Sequence, residues 1–499
     1  MTRPPRSLLV FLLAVTLGRL AAAAFIPLGE DEAYYRLWAQ HLQLGYLDHP
    51  PMIALWVRAG MTLAGDNALG VRLASVLSTA LASLLVFDLA SRIGLQPRAA
   101  VRAAIWFNAT LLIGIGGILA VPDAPNILFW TATLACLART DGQGGWRWWL
   151  AAGMTAGLAS LSKYSALFLA PGVLLWLALK PGGWRALTRP WPWAAALIAA
   201  GLFGLNVSWN ATHHWVTFVK QFGRAAPRAF APENLLWLIL SQIVLINPSI
   251  GWFAGRGAGL AWRWRKAKDA PDVGLVLWTA APFLAYLLIH ALHDRVEAHW
   301  PAPLYAGFAV LAAWAAEAAP EKGYLAGMRA RAAPIGLVLA ALVLVHLAAP
   351  ATDFGPDDPA QGFRGWPDLA TRVEAARVAA GASWVGALSY GVAAELAATR
   401  RIKAPIVEVR ERDRYPPGDG SWTADLGQPG LVVDEADRMR RPLLGDCFTL
   451  LEPRGDLARG DPGKPGQTYS LVRVQGIAPG AQGDCDRLAR TPEPADLAN

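Results

Sequence analysis

The strongest constraint in this sequence is a series of apolar runs, each close to the length that a helix needs to cross a lipid bilayer. One crossing takes about 20 apolar residues, and we identify eleven such runs up to residue 350. They occupy residues 7–28, 70–91, 102–121, 124–139, 148–162, 164–180, 191–208, 233–253, 273–291, 299–317 and 333–350. Lipid offers the backbone no hydrogen-bonding partner, so each run must satisfy its own backbone as a helix. The sequence therefore predicts a mainly α-helical, polytopic membrane protein.

Three of these runs allow alternatives. The fifth and sixth runs lie almost end to end around SLSKYSALF, so a single longer or broken helix is possible there. The first run follows a basic start and resembles a signal peptide. It is long enough to span, and many further runs follow it. An uncleaved first transmembrane helix is therefore the better interpretation.

Lysine and arginine collect in alternate loops, as they do on the cytoplasmic side of membrane proteins. With the N-terminus inside, the inside loops carry Arg92, Arg98, Arg102, Arg139, Arg147, Lys180, Arg185, Arg189, Arg256, Arg263, Arg265, Lys266, Lys268, Lys322, Arg329 and Arg331. Arg224 and Arg228, after the seventh run, are exceptions. The pattern predicts a cytoplasmic N-terminus and an outside location for everything after residue 350. It also accounts for the net charge of +8 without a nucleic-acid partner.

The tail, residues 351–499, is rich in Pro, Gly, Asp and Arg and has no spanning run, so we treat 1–350 and 351–499 as separate domains. GWPDLATRVEAARVAA predicts a helix, SWVGALSYGVAAELAATRRI a strand and a helix, and LVVDEADRM a buried strand. Such alternation indicates a small α/β domain, whose last residues we expect to be disordered. Cys447 and Cys485 both lie in this domain, and a disulfide between them is an open possibility.

The first outside loop, residues 29–69, contains two amphipathic segments, DEAYYRLWAQHL and PPMIALWVRAGMTLAG, joined by GYLD and His49. Both segments predict helices that lie on the membrane surface. Asp31 and Glu32 begin the first helix, where acids stabilise a helix N-terminus, and Asp48 lies in the joining turn. Helix capping explains one of the acids at the start of the helix, but it does not explain Asp48, which lies beside His49. Because a carboxylate at this depth needs a partner or a task, we predict that Asp31 is a general base. Asp48 would orient the acceptor, bind a cation or assist the base.

This loop, DEAYYRLWAQHLQLGYLDHPPMIALW, resembles the first periplasmic loop of the GT-C integral-membrane glycosyltransferases. The resemblance is to the bacterial branch similar to protein O-mannosyltransferases and to the lipid A aminoarabinose transferase. Further similar segments follow in family order: PDAPNILFW at 122–130, GLASLSKYSALFLAPG at 157–172 and HWPAPLYAGFAVLAA at 299–313. In the tail, GWPDLA and SYGVAAELA also look like the periplasmic domain of this branch.

The resemblance implies a GT-C fold in the bacterial inner membrane and an inverting transfer at its periplasmic face. The donor would be a sugar on polyprenyl phosphate, typically undecaprenyl phosphate, and the acceptor a lipid, glycan or protein, as in lipid A modification. Asp31 matches the catalytic base and Asp48 the second acid of the loop, which is Glu followed by Lys in the aminoarabinose branch. His49 stands at that following position here.

The resemblance also identifies Lys163 with a lysine that meets the donor phosphate, with Tyr164 beside it; the alternative for Lys163 is snorkelling to the interface. Further substrate-binding candidates are Glu32, Asp123, Arg295 and His299. Asp123 could equally be an ordinary turn residue, and Arg295 could pair with Glu297 instead of a phosphate.

Several wider questions stay open in the sequence. His213, His214 and Lys220 share a loop with Arg224 and Arg228, which suggests either an anionic ligand or a solvated loop. No cofactor is required, although Asp31, Asp48 and the histidines could gather a divalent metal ion. A transporter or flippase of a lipid-linked sugar is the alternative function, and a non-catalytic scaffold is a third. The sequence does not identify the sugar or the acceptor.

Overall fold

The structure is a computed structural model that describes residues 3–225, 229–264, 271–352, 354–355, 358–409, 414–415, 426–439, 444–445, 447–460 and 466–477. A helical region precedes a small domain that contains a β-sheet. The helical region contains α1 Arg6–Phe25, α2 Glu30–Gln40, α3 Met52–Ala64, α4 Ala68–Arg92, α5 Pro97–Ala109, α6 Leu111–Gly116, α7 Asp123–Leu137, α8 Gly145–Ser160, α9 Leu169–Leu179, α10 Pro190–Thr212, α11 Val216–Ala225, α12 Pro232–Ile246, α13 Pro248–Trp264, α14 Gly274–His290, α15 Tyr305–Glu317 and α16 Tyr324–Ala348.

Among the described residues, four helices are long and apolar enough to cross a membrane, namely α1, α4, α10 and α16. The pair α12 and α13 would make a fifth if it is one broken span, since it is bent by 107°. The predicted spans all coincide with helices. In two of them the helix is interrupted, so the expectation of one continuous helix is wrong there. Residues 102–121 are interrupted at Thr110, whose backbone is extended, and 233–253 at Asn247, whose φ is +75°.

The fifth and sixth predicted runs form two helical segments rather than one. α8 ends at Ser160, and the backbone of Lys163 is extended, with φ −157° and ψ 140°. A 3-10 turn, Tyr164–Phe168, then leads into α9. This break is what brings the Lys163 side chain to the end of the helices, where it is only partly buried.

The two helices predicted in the first loop are confirmed as α2 and α3. The Glu32 side chain accepts a hydrogen bond from the backbone N–H of Gly29 at 3.1 Å, so it caps the start of α2. The expectation that an acidic side chain caps the start of this helix is therefore correct for Glu32. The Asp31 side chain makes no such contact and is exposed to the interior cavity described below.

The tail domain contains α17 Trp366–Ala379, β1 Trp384–Ala387, α18 Tyr390–Thr399, β2 Ile406–Glu408, β3 Gly430–Glu435, α19 Ala436–Met439, β4 Phe448–Arg459 and β5 Gln467–Ile477. The strand order in the sheet is β2-β1-β3-β5-β4. β1 pairs in parallel with β2 and β3, whereas β5 is antiparallel to both β3 and β4. Both predicted strands, β1 and β3, and both predicted helices, α17 and α18, of this α/β domain are confirmed.

The β4–β5 hairpin was not predicted from the sequence. β4 is an edge strand whose side chains are mostly exposed, so its sequence shows neither a continuous apolar run nor a clean alternation. Cys447, just before β4, is disulfide-bonded. Its predicted partner Cys485 lies outside the described residues, as does the end of the chain that we expected to be disordered.

The tail domain packs directly on the first loop. One buried cluster joins Tyr34 and Trp38 of α2 to Trp366 of α17 and to Val392 and Leu396 of α18. Burial of such large apolar side chains stabilises the contact by about 1.5–3 kcal/mol for each side chain. The start of α2, which carries Asp31, is consequently enclosed between the helical region and the tail.

Candidate active site

A cavity of about 910 Å³ lies between the helical region, the first loop and the tail domain. Most of the predicted site residues line it, namely Asp31, Asp48, His49, Asp123, Lys163, Tyr164 and His299. Glu32 and Arg295 are not among the lining residues. Residues that are far apart in the chain are thus gathered around one space.

Asp31 presents its carboxylate to this cavity. Its Oδ1 accepts a hydrogen bond of 3.0 Å from the hydroxyl of Tyr390. The surrounding protein removes Asp31 from bulk water, and this desolvation raises its pKa above the usual value. The negative charges of Asp48 and Glu32 act in the same direction, whereas Tyr390 and Arg414 oppose the shift. The result is a carboxylate whose affinity for a proton is greater than in water.

Asp48 is buried and held by three partners. Its Oδ2 accepts from Tyr34 Oη at 2.9 Å and from Arg414 Nη1 at 2.7 Å, and its Oδ1 lies 2.7 Å from Lys220 Nζ. Burial opposes ionisation of Asp48, but Arg414 and Lys220 outweigh it and hold the pKa well below its usual range. Asp48 therefore stays ionised.

Lys163 and Asp123 form a second ion pair in the cavity wall. The ammonium donates to both carboxylate oxygens of Asp123 at 2.8 Å, and His299 Nε2 lies 3.8 Å from Asp123 Oδ2. Asp123 is the first residue of α7, where a helix N-terminus favours a negative charge. Lys163 is thus fixed beside the cavity by a partner on a different helix.

His49 and Tyr164 complete the predicted residues of the lining. The His49 ring stands edge-on to Tyr35, with 6.1 Å between the ring centroids. The hydroxyl of Tyr164 donates to Asn206 Oδ1 at 2.9 Å, which ties the segment after Lys163 to α10.

Two predicted substrate-binding residues lie outside the cavity lining. Glu32 is buried and forms a two-pronged ion pair with Arg72, while its Oε1 also accepts from the backbone N–H of Ala120 at 2.9 Å. Arg295 lies 3.5 Å from Glu297 and over the ring of Trp237. The alternative pairing of Arg295 with Glu297 is therefore confirmed. We include neither Glu32 nor Arg295 among the substrate contacts proposed below.

The loop with unexpected positive charge meets the site through Lys220, on α11, rather than through its histidines. His213 stacks on Trp209 with 4.0 Å between the ring centroids. The side chain of Arg224 and the whole of Arg228 lie outside the described parts of the structure. Lys220 contacts the carboxylate of Asp48.

Sequence reasoning missed the residues that the tail contributes, above all Tyr390 and Arg414. The segment SYGVAAELA was recognised as similar to a family domain, but nothing local indicates that Tyr390 reaches Asp31. Arg414 lies 366 positions from Asp48, and its stretch of alternating charges is typical of an exposed loop. Only the tertiary fold brings these residues to the first loop.

The lining of the cavity also contains many apolar side chains. They come from several helices and include Leu112, Ile113, Ile127, Phe168 and Phe283. A space lined by both charged and apolar groups suits an amphipathic ligand. Among the residues that the structure describes, no group of three or more His, Cys, Asp or Glu side chains could hold a metal ion. A metal site formed by Asp31 and Asp48 therefore stays a prediction, since these two side chains belong to no such group among the described residues.

The helical region and the sheet domain that packs on its first loop together have the fold of the GT-C membrane glycosyltransferases. ArnT from Cupriavidus metallidurans, solved bound to undecaprenyl phosphate, superimposes with a TM-score of 0.65 over 93% of this chain and 97% of that chain, at 14% identity. The Archaeoglobus fulgidus oligosaccharyltransferase matches 78% of this chain and 61% of its own, with a TM-score of 0.50 and 16% identity. These likenesses establish the fold.

Sequence comparison identifies more specific relatives. Residues 48–209 match the family described as dolichyl-phosphate-mannose-protein mannosyltransferase. The lipid A galacturonosyltransferase RgtD of Rhizobium johnstonii is 29% identical over 62% of this chain and 65% of its own length. The undecaprenyl phosphate-α-4-amino-4-deoxy-L-arabinose arabinosyl transferase of Pseudomonas aeruginosa (strain UCBPP-PA14) is also 29% identical, over 50% of this chain and 46% of its own. The resemblance to this group of transferases is confirmed, while the chain matches less than two thirds of either relative.

Proposed function

We propose that this protein is an inverting glycosyltransferase that moves a sugar from a polyprenyl phosphate to lipid A. The observation that carries the proposal is the Asp31 carboxylate, open to a cavity that also contains Lys163 and has apolar walls. A base, a cation for a phosphate and a channel for a hydrocarbon chain are the parts that such a transfer needs.

In the proposed reaction, an acceptor oxygen attacks the anomeric carbon of the sugar while its proton passes to Asp31. The bond between the anomeric carbon and the phosphate oxygen breaks, and polyprenyl phosphate leaves with that electron pair. One displacement inverts the anomeric centre. A base works best when its pKa lies near the working pH, and the desolvation that raises the pKa of Asp31 acts in that direction.

The departing phosphate gains negative charge, which a preorganised cation stabilises. Lys163 is held at the cavity wall by Asp123, so it does not need to be ordered when the donor binds. We propose that its ammonium meets the phosphate, with Tyr164 and His299 beside it. His49 and Arg414 would complete the polar wall, with Asp48 as an orienting residue.

The proposed topology has eleven crossings, a cytoplasmic N-terminus and a periplasmic tail. It is supported by the alternation of Arg and Lys in the loops, and by the helices that coincide with the predicted runs. The cavity would then open at the outer face of the inner membrane, where a polyprenyl-linked sugar and lipid A can both reach it.

The relatives carry two different sugars in their names, galacturonic acid and 4-amino-4-deoxy-L-arabinose. One is an anion and the other a cation, so a single assay can separate them. The purified full-length chain is mixed with lipid A and with either sugar on undecaprenyl phosphate. Mass spectrometry should detect one of these additions on lipid A. The absence of both, with lipid A and donor intact, would contradict the proposed function.

A further inference from the structure

The tail domain reaches into the cavity through Tyr390. Its hydroxyl donates a hydrogen bond of 3.0 Å to Asp31 Oδ1, although the two residues are 359 positions apart. Tyr390 begins α18, and Asp31 lies in the first turn of α2. We propose that Tyr390 is a positioning residue that holds the Asp31 carboxylate for proton transfer, so that the tail domain is a part of the active site. This inference rests on the proposed role of Asp31 as base.

Tyr390 is itself fixed from several sides. The guanidinium of Arg414 lies over its ring, 4.4 Å from the centroid, and the ring of Tyr34 lies 4.8 Å away between centroids. The backbone oxygen of Tyr390 accepts a hydrogen bond of 2.7 Å from the hydroxyl of Tyr415. A donor held in this way fixes the geometry of its acceptor, which is what a supporting residue must do.

The same part of the tail also forms hydrogen bonds with the first loop. The backbone oxygen of Arg414 accepts a hydrogen bond from Trp38 Nε1 at 3.1 Å. Tyr34 Oη lies at the same distance and shares its single proton between this oxygen and Asp48 Oδ2. The guanidinium of Arg414 donates to Asp48 at 2.7 Å. The contact between loop and tail therefore involves backbone, aromatic and charged groups at once, and Tyr390 lies within it.

Within the described parts of the chain, Tyr390 is the residue that donates a hydrogen bond to the Asp31 side chain. The other titratable groups that act on Asp31 are Asp48, Glu32 and Arg414. Glu30 and Tyr35, which are neighbours on α2, also experience its charge. Tyr390 takes up one lone pair of Oδ1, so we assign the proton from the acceptor oxygen to Oδ2. Tyr390 keeps its own proton throughout.

The substitution Tyr390→Phe tests this inference, because it removes the hydroxyl and keeps the ring. The assay uses the full-length chain in detergent, lipid A, and undecaprenyl phosphate carrying whichever of galacturonic acid or 4-amino-4-deoxy-L-arabinose the wild type transfers. A hydrogen bond to a carboxylate stabilises its ionised form, so its loss should move the acid limb of kcat/KM upward by about one pH unit. We also expect kcat at the optimum to fall about tenfold, with little change in the KM for the donor.

Tyr469→Phe is the matched control in the same domain. Its hydroxyl accepts from Arg459 Nε at 3.0 Å and it does not line the cavity, so its pH profile should follow the wild type. Replacement of Tyr390 by 3-fluorotyrosine, a stronger donor of nearly the same shape, should move the acid limb the other way. An acid limb that stays in place with 3-fluorotyrosine, or with a folded Tyr390→Phe variant, overturns the inference. A wild type that transfers neither sugar counts instead against the proposed function.

Discussion

Lys163 donates from Nζ to both carboxylate oxygens of Asp123, each at 2.8 Å. The pair joins the segment after α8 to the first turn of α7, and both side chains line the cavity. Asp123 thus neutralises Lys163 and holds it in place. A phosphate that enters would share this cation rather than meet an isolated charge.

The first prediction concerns Lys163→Ala. Removal of the cation should reduce kcat/KM for the donor by about 100-fold, since one lost stabilising donor at a developing oxyanion costs about that much. The KM for lipid A should change little. Initial rates measured with donor and acceptor varied separately will show this difference.

Lys180→Ala is a suitable control for this experiment. Lys180 also pairs with carboxylates, Asp141 and Asp272, but it does not line the cavity. Its variant should retain the donor kinetics of the wild type. Donor kinetics unaffected by Lys163→Ala would argue against a phosphate contact.

The second prediction is that Asp31→Asn produces a folded protein that binds undecaprenyl phosphate but transfers sugar about 10³-fold more slowly. An amide keeps the shape of the side chain but cannot accept the acceptor's proton, and general base catalysis contributes about 10²–10⁴-fold. Turnover and lipid binding should be measured on the same preparation. Asp141→Asn, at an exposed aspartate outside the cavity, serves as control, and full turnover by Asp31→Asn would refute its assignment as base.

Much of this site could be predicted because its residues lie in local patterns. α2 and α3 follow from helical spacing, and the break at Lys163 from a lysine between two apolar runs. What could not be predicted is which polar and charged side chains contact one another. Lys163 and Asp123 are 40 positions apart, and Tyr390 and Asp31 are 359 apart, so their pairing depends on tertiary contacts that no periodicity records. Glu32 shows the same limit of prediction from sequence. Its neighbour Asp31 faces the cavity, whereas Glu32 pairs with Arg72, and nothing in the local sequence separates the two acids.

The third prediction is that Glu32→Gln mainly reduces stability. Arg72 and Glu32 are almost fully buried, with side chains 0% and 3% exposed, so removal of one charge leaves an uncompensated guanidinium and costs about 3–5 kcal/mol. Thermal unfolding in detergent should detect the loss. The protein that stays folded at low temperature should keep the KM of the wild type for the donor.

Glu317→Gln provides the comparison for that experiment. Glu317 also pairs with an arginine, Arg102, but these side chains are 32% and 21% exposed. Partly exposed pairs contribute about 0–1 kcal/mol, so this variant should unfold close to the wild type. Equal destabilisation by both substitutions would show that burial of the Arg72 pair is not what stabilises the first loop.

The last prediction follows from the opposite directions in which the cavity shifts two carboxylates. Desolvation raises the pKa of Asp31, whereas Arg414 and Lys220 outweigh burial and hold the pKa of Asp48 well below its usual range. Transfer needs ionised Asp31, so its rate should fall as the pH drops through the raised pKa. The stability that Asp48 contributes is fully present above its unfolded-state pKa and is lost only as the pH falls through its lowered folded-state pKa. Between these two values the protein should be folded, reversibly inactive and still able to bind undecaprenyl phosphate. Transfer rates and thermal unfolding measured over the same pH series will test this, and loss of activity that coincides with unfolding would contradict it.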